Sequence, residues 1–164
     1  MKIAFQMDPI ETIDMKADTS FILGLQAAIR GYECWHYPVQ SLHWRDGSVM
    51  ARACPLQCID DPVRWYKKGE ESLVDLGMFD VVLMRQDPPF DMGYITATHL
   101  LETVSYKTLI VNDPAGVRNA PEKLLVTHFP ELMPPTLISR DLDAIRAFRR
   151  DHGAIIIKPL FGNG

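Results

Sequence analysis

Short apolar runs alternate with amphipathic stretches along the first two thirds of the chain. KIAFQM (2–7) and FDVVLM (79–84) are nearly continuous apolar runs, which are typical of strands covered on both faces of a parallel sheet. YECWHYP (32–38) and TLIVN (108–112) predict two further strands. Apolar residues at helical spacing predict a helix that begins with an N-cap at 18–20 and ends before Gly31, and a second helix over 94–105. The pattern indicates an α/β fold with a parallel sheet.

One segment interrupts this alternation. Asp46 and Gly47 stand between SLHW and VMARACPLQCI, and an Asp-Gly pair between two such runs predicts a tight turn. We therefore expect a β-hairpin inserted into the α/β pattern. Residues 62–77 follow it and predict a weakly periodic helix.

The pattern changes again near residue 120. A helix is predicted from about Pro121 to Phe129, followed by the proline cluster PELMPP, which is typical of a linker. TLIS and AIIIK then predict two strands around a helix, DLDAIRAFRRDHG, that ends at Gly153. We expect one domain over residues 1–120 and the beginning of a second over 121–164, with AIIIK as an apolar edge.

Composition and charge narrow the class of protein. Of the 164 residues 47% are hydrophobic and 23% charged, as in ordinary globular proteins. The net charge of −4 and the absence of a Lys/Arg cluster argue against a nucleic-acid partner. The N-terminal apolar run is too short for a signal peptide or a membrane span, so we expect a cytoplasmic protein. Cys34, Cys54 and Cys58 lack metal-ligand spacing and are expected to be strand cysteines.

Polar residues directly follow four of the predicted strands. Ligands bind at the carboxyl ends of strands in open α/β sheets. The residues concerned are Asp8, Arg85, Asp87, Asn112, Asp113 and Lys158. A dinucleotide site is excluded because MDPIETIDMKADTS contains no glycine, and a P-loop is excluded because Lys158 precedes Gly162 and Gly164.

Each charged candidate also has an ordinary structural explanation. The planar guanidinium of Arg85 suits a carboxylate ligand, but it would equally brace its own loop by pairing with Asp87 or Asp91. Lys123 and Lys158 would equally extend into solvent from a helix and from a strand end. The five histidines show no metal-ligand spacing, so we assign them no role.

Four segments together resemble one known family. MDPIETIDMKADTS, VVLMRQDPPFDMGYITATHLLE, LIVNDPAGVRNAPEKL and IIIKPLFGNG occur in this order and resemble the prokaryotic glutathione synthetases of the ATP-grasp superfamily. The resemblance covers essentially the whole chain. It implies a pre-ATP-grasp substrate domain, followed by the start of an ATP-grasp subdomain that breaks off within the glycine-rich loop.

The resemblance also implies an activity and residue roles. The family joins γ-glutamylcysteine to glycine with ATP and Mg²⁺, through an acyl phosphate. Lys123 and Lys158 look like the two lysines that bind ATP phosphates, and Gly162 and Gly164 look like part of the glycine-rich loop over them. Arg85 and Asp8 look like substrate-binding residues, with Arg85 as part of the substrate-carboxylate site and Asp8 in the loop nearby. Family members commonly form homo-oligomers.

Three expectations follow from where the resemblance stops. Family members continue well beyond this point, so we expect the natural protein to be longer, with its magnesium ligands in the later part, and this piece alone to be inactive. One alternative is a free-standing substrate-binding or interaction module without ligase activity. Another is an ATP-grasp ligase for a different carboxylate and amine, against which MRQDPPFD argues.

Overall fold

The first compact unit is an α/β domain built on a mixed sheet. A computed structural model describes residues 1–87 and 89–160, and the chain divides into two compact units, Met1–Asn119 and a second that begins at Ala120. The strands of the first unit are β1 (Lys2–Gln6), β2 (Glu33–Tyr37), β3 (His43–Arg45), β4 (Ser48–Cys58), β5 (Tyr66–Lys68), β6 (Ser72–Asp75), β7 (Val81–Met84) and β8 (Leu109–Val111). Its helices are α1 (Thr19–Ile29), α2 (Met92–Glu102) and α3 (Pro114–Asn119).

The sheet confirms the predicted α/β class. Its main strand order is β3-β4-β2-β1-β7-β8, in which β2, β1, β7 and β8 are parallel and β4 is antiparallel to β2. β3 and β4 form the predicted hairpin, and Asp46 and Gly47 at its turn have φ values of 50° and 88°. Both residues are left-handed, as the two central positions of a type I′ turn require.

The expected helix over residues 62–77 is wrong. The segment contains β5 and β6, which both pair with β4, and a 3-10 turn at Leu76–Met78. β4 is eleven residues long, so strand edges remain available beside its two halves. Pairing with these edges satisfies the backbone groups of the segment, and this tertiary contact overrides a weak local preference for helix.

Two apolar layers cover the sheet. On one face α1 packs on β1 and β2 through residues that include Ile3, Phe5 and Ala27. On the other face Ala4, Val82 and Leu101 belong to a larger cluster that includes α2 and β4. The polar ends of β1 and β7 lie between these two layers, and they form the candidate site.

The second unit contains two helices and no strand in its described part. Its helices are α4 (Glu122–Leu125), which continues into a 3-10 turn at Val126–His128, and α5 (Leu142–His152). The expected strands TLIS (136–139) and AIIIK (154–158) are wrong, because neither segment forms a backbone ladder with any described residue. Ile156 and Ile157 are 86% and 73% exposed. A strand needs a hydrogen-bonded partner, and an apolar run alone does not provide one.

Candidate functional site

The carboxyl ends of β1 and β7 lie side by side in the sheet. Gln6, the last residue of β1, pairs with Met84, the last residue of β7. Beyond the strands, the backbone N–H of Arg85 donates to the carbonyl of Gln6 at 2.7 Å. The backbone N–H of Asp87 donates to Asp8 Oδ2 at 2.9 Å. The two predicted substrate residues, Asp8 and Arg85, therefore belong to adjoining segments at this edge of the sheet.

The guanidinium of Arg85 contacts α1 and forms no ion pair within the described residues. Its Nε donates to Ser20 Oγ at 3.2 Å, and its two terminal NH₂ groups have no hydrogen-bond partner in that part of the chain. Asp91 instead caps α2 by accepting from Tyr94 N at 3.0 Å. The bracing pairs of Arg85 with Asp87 or Asp91 are therefore not observed across residues 1–87 and 89–160. The terminal NH₂ groups of Arg85 are therefore available to bind an oxyanion.

An aromatic pair borders the charged groups. Phe90 and Tyr94 have ring centroids 5.1 Å apart. Burial raises the pKa of Tyr94, which the positive charge of Arg85 lowers and the negative charge of Asp87 raises. The phenol thus stays protonated and neutral between the two charges. The segment MRQDPPFD pointed to the arginine but gave no signal for Tyr94.

A buried histidine supports the loop that carries Asp8. His36 lies in β2, and its Nε2–H donates to the carbonyl of Asp8 at 3.2 Å. Burial lowers the pKa of His36, which keeps the ring neutral, while the hydrogen bond to Asp8 works in the opposite direction. Sequence reasoning assigned this histidine no role, because spacing between histidines identifies metal ligands and not a loop support.

An ion pair ties the same loop to the inserted strands. Lys68 Nζ of β5 lies 3.0 Å from Glu11 Oε1. Backbone hydrogen bonding, and then this lysine, lower the pKa of Glu11. The hydrogen bond to Glu11 in turn raises the pKa of Lys68. The loop after β1 is therefore held by β2 and by β5.

Two glutamines lie beneath the site. Gln6 is fully buried and Gln86 is 8% exposed, and Gln6 Nε2 donates to Gln86 Oε1. No sequence motif predicted this contact. A signal was present, because Gln6 is a polar residue within the apolar run KIAFQM.

The predicted phosphate-binding residues belong to the second unit. Lys123 lies in α4 and is half-buried, whereas Lys158 is exposed in a segment without regular secondary structure. Gly162 and Gly164 lie outside the described residues. Both lysines carry the positive charge that a phosphate ligand needs.

Metal ligands are not assembled in the described part of the chain. Residues 1–87 and 89–160 contain no group of three or more His, Cys, Asp or Glu that could hold a metal ion. Cys34, Cys54 and Cys58 are buried strand residues with free thiols. The described residues therefore present no cluster of three or more such ligands.

A cleft of about 450 Å³ lies elsewhere, toward the amino end of β2. Cys34, Pro55 and Lys67 are among its lining residues, and neither Asp8 nor Arg85 is one of them. The cleft is therefore separate from the candidate site.

The helices were also compared with the requirements for a membrane span. None of the helices in the described ranges combines the length and apolar character needed to cross a membrane.

The fold is that of an open α/β sheet, and its polar residues lie at the carboxyl ends of the strands, the edge at which ligands bind in proteins of this fold class. Comparison with known families identifies the family. Residues 1–118 match the prokaryotic glutathione synthetase N-terminal domain, and residues 122–164 match the ATP-grasp domain of the same enzyme. The chain belongs to the prokaryotic glutathione synthetase family.

Individual relatives are similar in sequence to this chain over its whole length. A glutathione synthetase of Mesorhizobium japonicum is 54% identical over 164 residues, which are 100% of this chain and 52% of that protein. One of Brucella melitensis is 52% identical over 164 residues, 100% of this chain and 53% of that protein. One of Vibrio vulnificus is 44% identical over 165 residues, 100% of this chain and 52% of that protein. The chain spans about half the length of the curated relatives it matches.

Proposed function

We propose that the product of the complete gene is a glutathione synthetase, an ATP-dependent ligase that joins γ-glutamylcysteine to glycine. Residues 1–120 would form its substrate domain, and residues 121–164 would begin its ATP-grasp domain. The observation that carries the proposal is the agreement between two consecutive family matches and an arginine whose terminal NH₂ groups have no partner among the described residues. We further propose a cytoplasmic protein that assembles as a homo-oligomer, as the family resemblance implies.

Arg85 is the proposed anchor for a carboxylate of γ-glutamylcysteine. A guanidinium binds a carboxylate through two parallel N–H···O bonds, so it fixes orientation as well as charge. Ser20 holds the Nε side of the group and thereby directs the remaining donors. Asp8 contributes by holding the backbone of Asp87. Asp8 thus supports the arginine segment in addition to its proposed role in binding the substrate.

Lys123 and Lys158, with Gly162 and Gly164, are the proposed binding residues for ATP. ATP supplies the phosphoryl group that activates the substrate carboxylate. Two lysine ammonium groups would offset the charge of the phosphate oxygens, and glycines would allow the backbone to approach them closely. Magnesium would be required with ATP, and none of the residues described here is proposed as its ligand.

The test is ATP- and magnesium-dependent glutathione formation by the product of the complete gene. Arg85→Met should raise KM for γ-glutamylcysteine by about tenfold to a hundredfold, since hydrogen bonds to charged groups contribute about 1.5–3 kcal/mol. Lys158→Met should instead raise KM for ATP. The two variants should therefore separate the two proposed sites in one assay.

Arg52→Met is the matched control. Arg52 is an exposed arginine on β4 whose Nε lies 3.3 Å from Glu71 Oε1, and it is not part of the proposed site. Its KM values should stay within about twofold of the wild type, because exposed ion pairs contribute little. Absence of glutathione formation by the wild-type protein with all substrates present would reject the proposed activity. An equal effect of the Arg52 and Arg85 variants would reject the proposed anchor.

A further inference from the structure

Gln6 and Gln86 form a buried amide pair at the end of the β1–β7 ladder. Gln6 is 0% and Gln86 8% exposed, and the amide of Gln6 donates to the carbonyl oxygen of Gln86. Regular pairing of the strands ends at Gln6 and Met84. The side-chain contact therefore extends the connection between the strands to a position beyond the sheet.

The buried amide pair lowers the stability of the fold relative to apolar side chains in the same space. Gln6 Oε1 and Gln86 Nε2 are buried without a hydrogen-bond partner among the described residues, and so is the hydroxyl of Tyr37, which stands beside Gln6 in register. Buried polar atoms that lack partners reduce stability, and apolar side chains of the same size would avoid this loss. Stability alone does not explain two glutamines here.

The location of the pair supplies another explanation. The backbone N–H groups of Arg85 and Asp87 are bound to the Gln6 carbonyl and to Asp8 Oδ2. Gln86 stands between Arg85 and Asp87 in the sequence, and its side chain is bound to the Gln6 side chain. Three consecutive residues are therefore attached to the last residue of β1 or to the loop that follows it.

The alternation of side chains gives the middle attachment a directional effect. Met84 belongs to the apolar layer on the α2 side of the sheet, whereas Arg85 contacts Ser20 at the start of α1, on the opposite side. Successive residues of an extended segment point to opposite faces. Gln86 is bound to Gln6, which pairs in register with Met84 of that layer. The amide pair thus anchors the segment on the α2 side, while Arg85 contacts Ser20 on the other side.

We propose that the Gln6–Gln86 pair is a positioning element that holds Arg85 in the orientation needed to bind a substrate carboxylate. The inference rests on the proposed function for the identity of that substrate. Neither glutamine is proposed to touch the substrate. Both act through the arginine segment.

The test uses Gln6→Met, Gln86→Met and the double variant in the product of the complete gene. Each single variant leaves one buried amide without its partner, so its urea midpoint should fall. The double variant removes both amides and should recover most of that loss. Its KM for γ-glutamylcysteine should nevertheless stay about tenfold above wild type, because a misplaced binding group loses affinity even in a stable protein. KM values for ATP and glycine should be unchanged.

A second measurement does not depend on the substrate. Amide hydrogen exchange of Arg85 and Asp87, followed by NMR without ligand, should be faster in the double variant than in the wild type. Thr108→Val is the control, because the buried Thr108 hydroxyl donates to the carbonyl of Leu76 at 3.0 Å just before β8, away from the arginine segment. It should lower the urea midpoint without changing exchange at Arg85 or KM.

The outcomes separate the two proposals. Unchanged exchange at Arg85 and Asp87 in the double variant would overturn the positioning role. Wild-type KM in the double variant, with a raised KM in Arg85→Met, would also overturn it while leaving the substrate site intact. Faster exchange together with unchanged KM in both the double variant and Arg85→Met would support the positioning role and reject the substrate assignment.

Discussion

At Gly24, α1 packs closely against Cys58 of β4. A Cβ built on Gly24 would lie 2.6 Å from Cys58 Sγ, a distance that real Cβ atoms essentially never show. Cys58 is buried in β4, and burial raises the pKa of its thiol to about 12. The side chain therefore stays a neutral, packed thiol at physiological pH. A glycine inside a helix usually costs stability, and here it permits close packing.

Gly24→Ala should destabilise the protein by about 1–3 kcal/mol in urea unfolding, although alanine is the better helix former, because the added methyl overpacks the contact with Cys58. Gly24→Ala combined with Cys58→Ala should lose less than the sum of the two single changes. Gln26→Ala, on the exposed side of the same helix, is the control and should change stability by about 0.5 kcal/mol or less. Strict additivity in the double variant would mean that the two residues are not in contact.

At the scale of elements, α2 and α3 are joined by a polar contact. Arg118 of α3 donates to Thr98 Oγ1 at 3.2 Å and to Glu102 Oε2, both on α2. Thr98 is fully buried and the Arg118 side chain is 17% exposed, so water competes little for the contact. Arg118 is the arginine of the segment NDPAGVRNAPEKL. Its contacts with Thr98 and Glu102 give it a structural role, which is to join α3 to α2. The family resemblance alone left its role open.

Arg118→Met should therefore lower stability by about 1–3 kcal/mol, because it leaves the partners of a charged, largely buried donor without their hydrogen bonds. Guanidinium unfolding of the purified protein would measure this loss. Arg146→Met is the matched control, since Arg146 pairs with Asp143 on the exposed surface of α5 at 2.9 Å. It should cost about 0.5 kcal/mol or less. Equal losses in the two variants would contradict the proposed importance of the α2–α3 contact.

At the scale of the whole molecule, the two compact units differ in how their backbones are paired. The first unit has a sheet whose central strands are bonded on both edges, whereas the described part of the second has helices and 3-10 turns joined by segments without regular secondary structure. Leu132, Ile156 and Ile157 of the second unit are among its exposed apolar side chains. Few buried contacts and unpaired extended segments are the properties of regions that open at low free energy.

Hydrogen exchange measured by mass spectrometry on this 164-residue chain should therefore show slow exchange in β1, β2 and β7 and fast exchange in residues 130–141 and 153–160, on either side of α5. The helix α5 should be intermediate, because its backbone is hydrogen-bonded but none of its residues is fully buried. Protection of residues 154–158 equal to that of β1 would show that this segment is paired in solution.

The local sequence pattern was sufficient to predict the central strands and α1. The runs KIAFQM and FDVVLM became β1 and β7, Asp18 became the N-cap of α1 by accepting from Ser20 N at 2.6 Å, and Gly31 follows the helix with φ of 70°. These features depend on neighbours in sequence: alternating or continuous burial, one capping side chain and one left-handed residue. The position of Arg85 at a strand end was readable for the same reason.

Partners distant in sequence were decided only by the tertiary structure. Distant segments meet in the pairing of β5 and β6 with β4, in the Ser20 contact of Arg85 and in the amide pair of Gln6 with Gln86, which join residues eight or more positions apart. A sequence pattern states that a group will be buried or exposed, but hydrogen bonds depend on which segments the fold brings together. The sequence by itself therefore determined the α/β class and the edge where the candidate site lies, whereas the packing of the chain determined which side chains hold that site in shape.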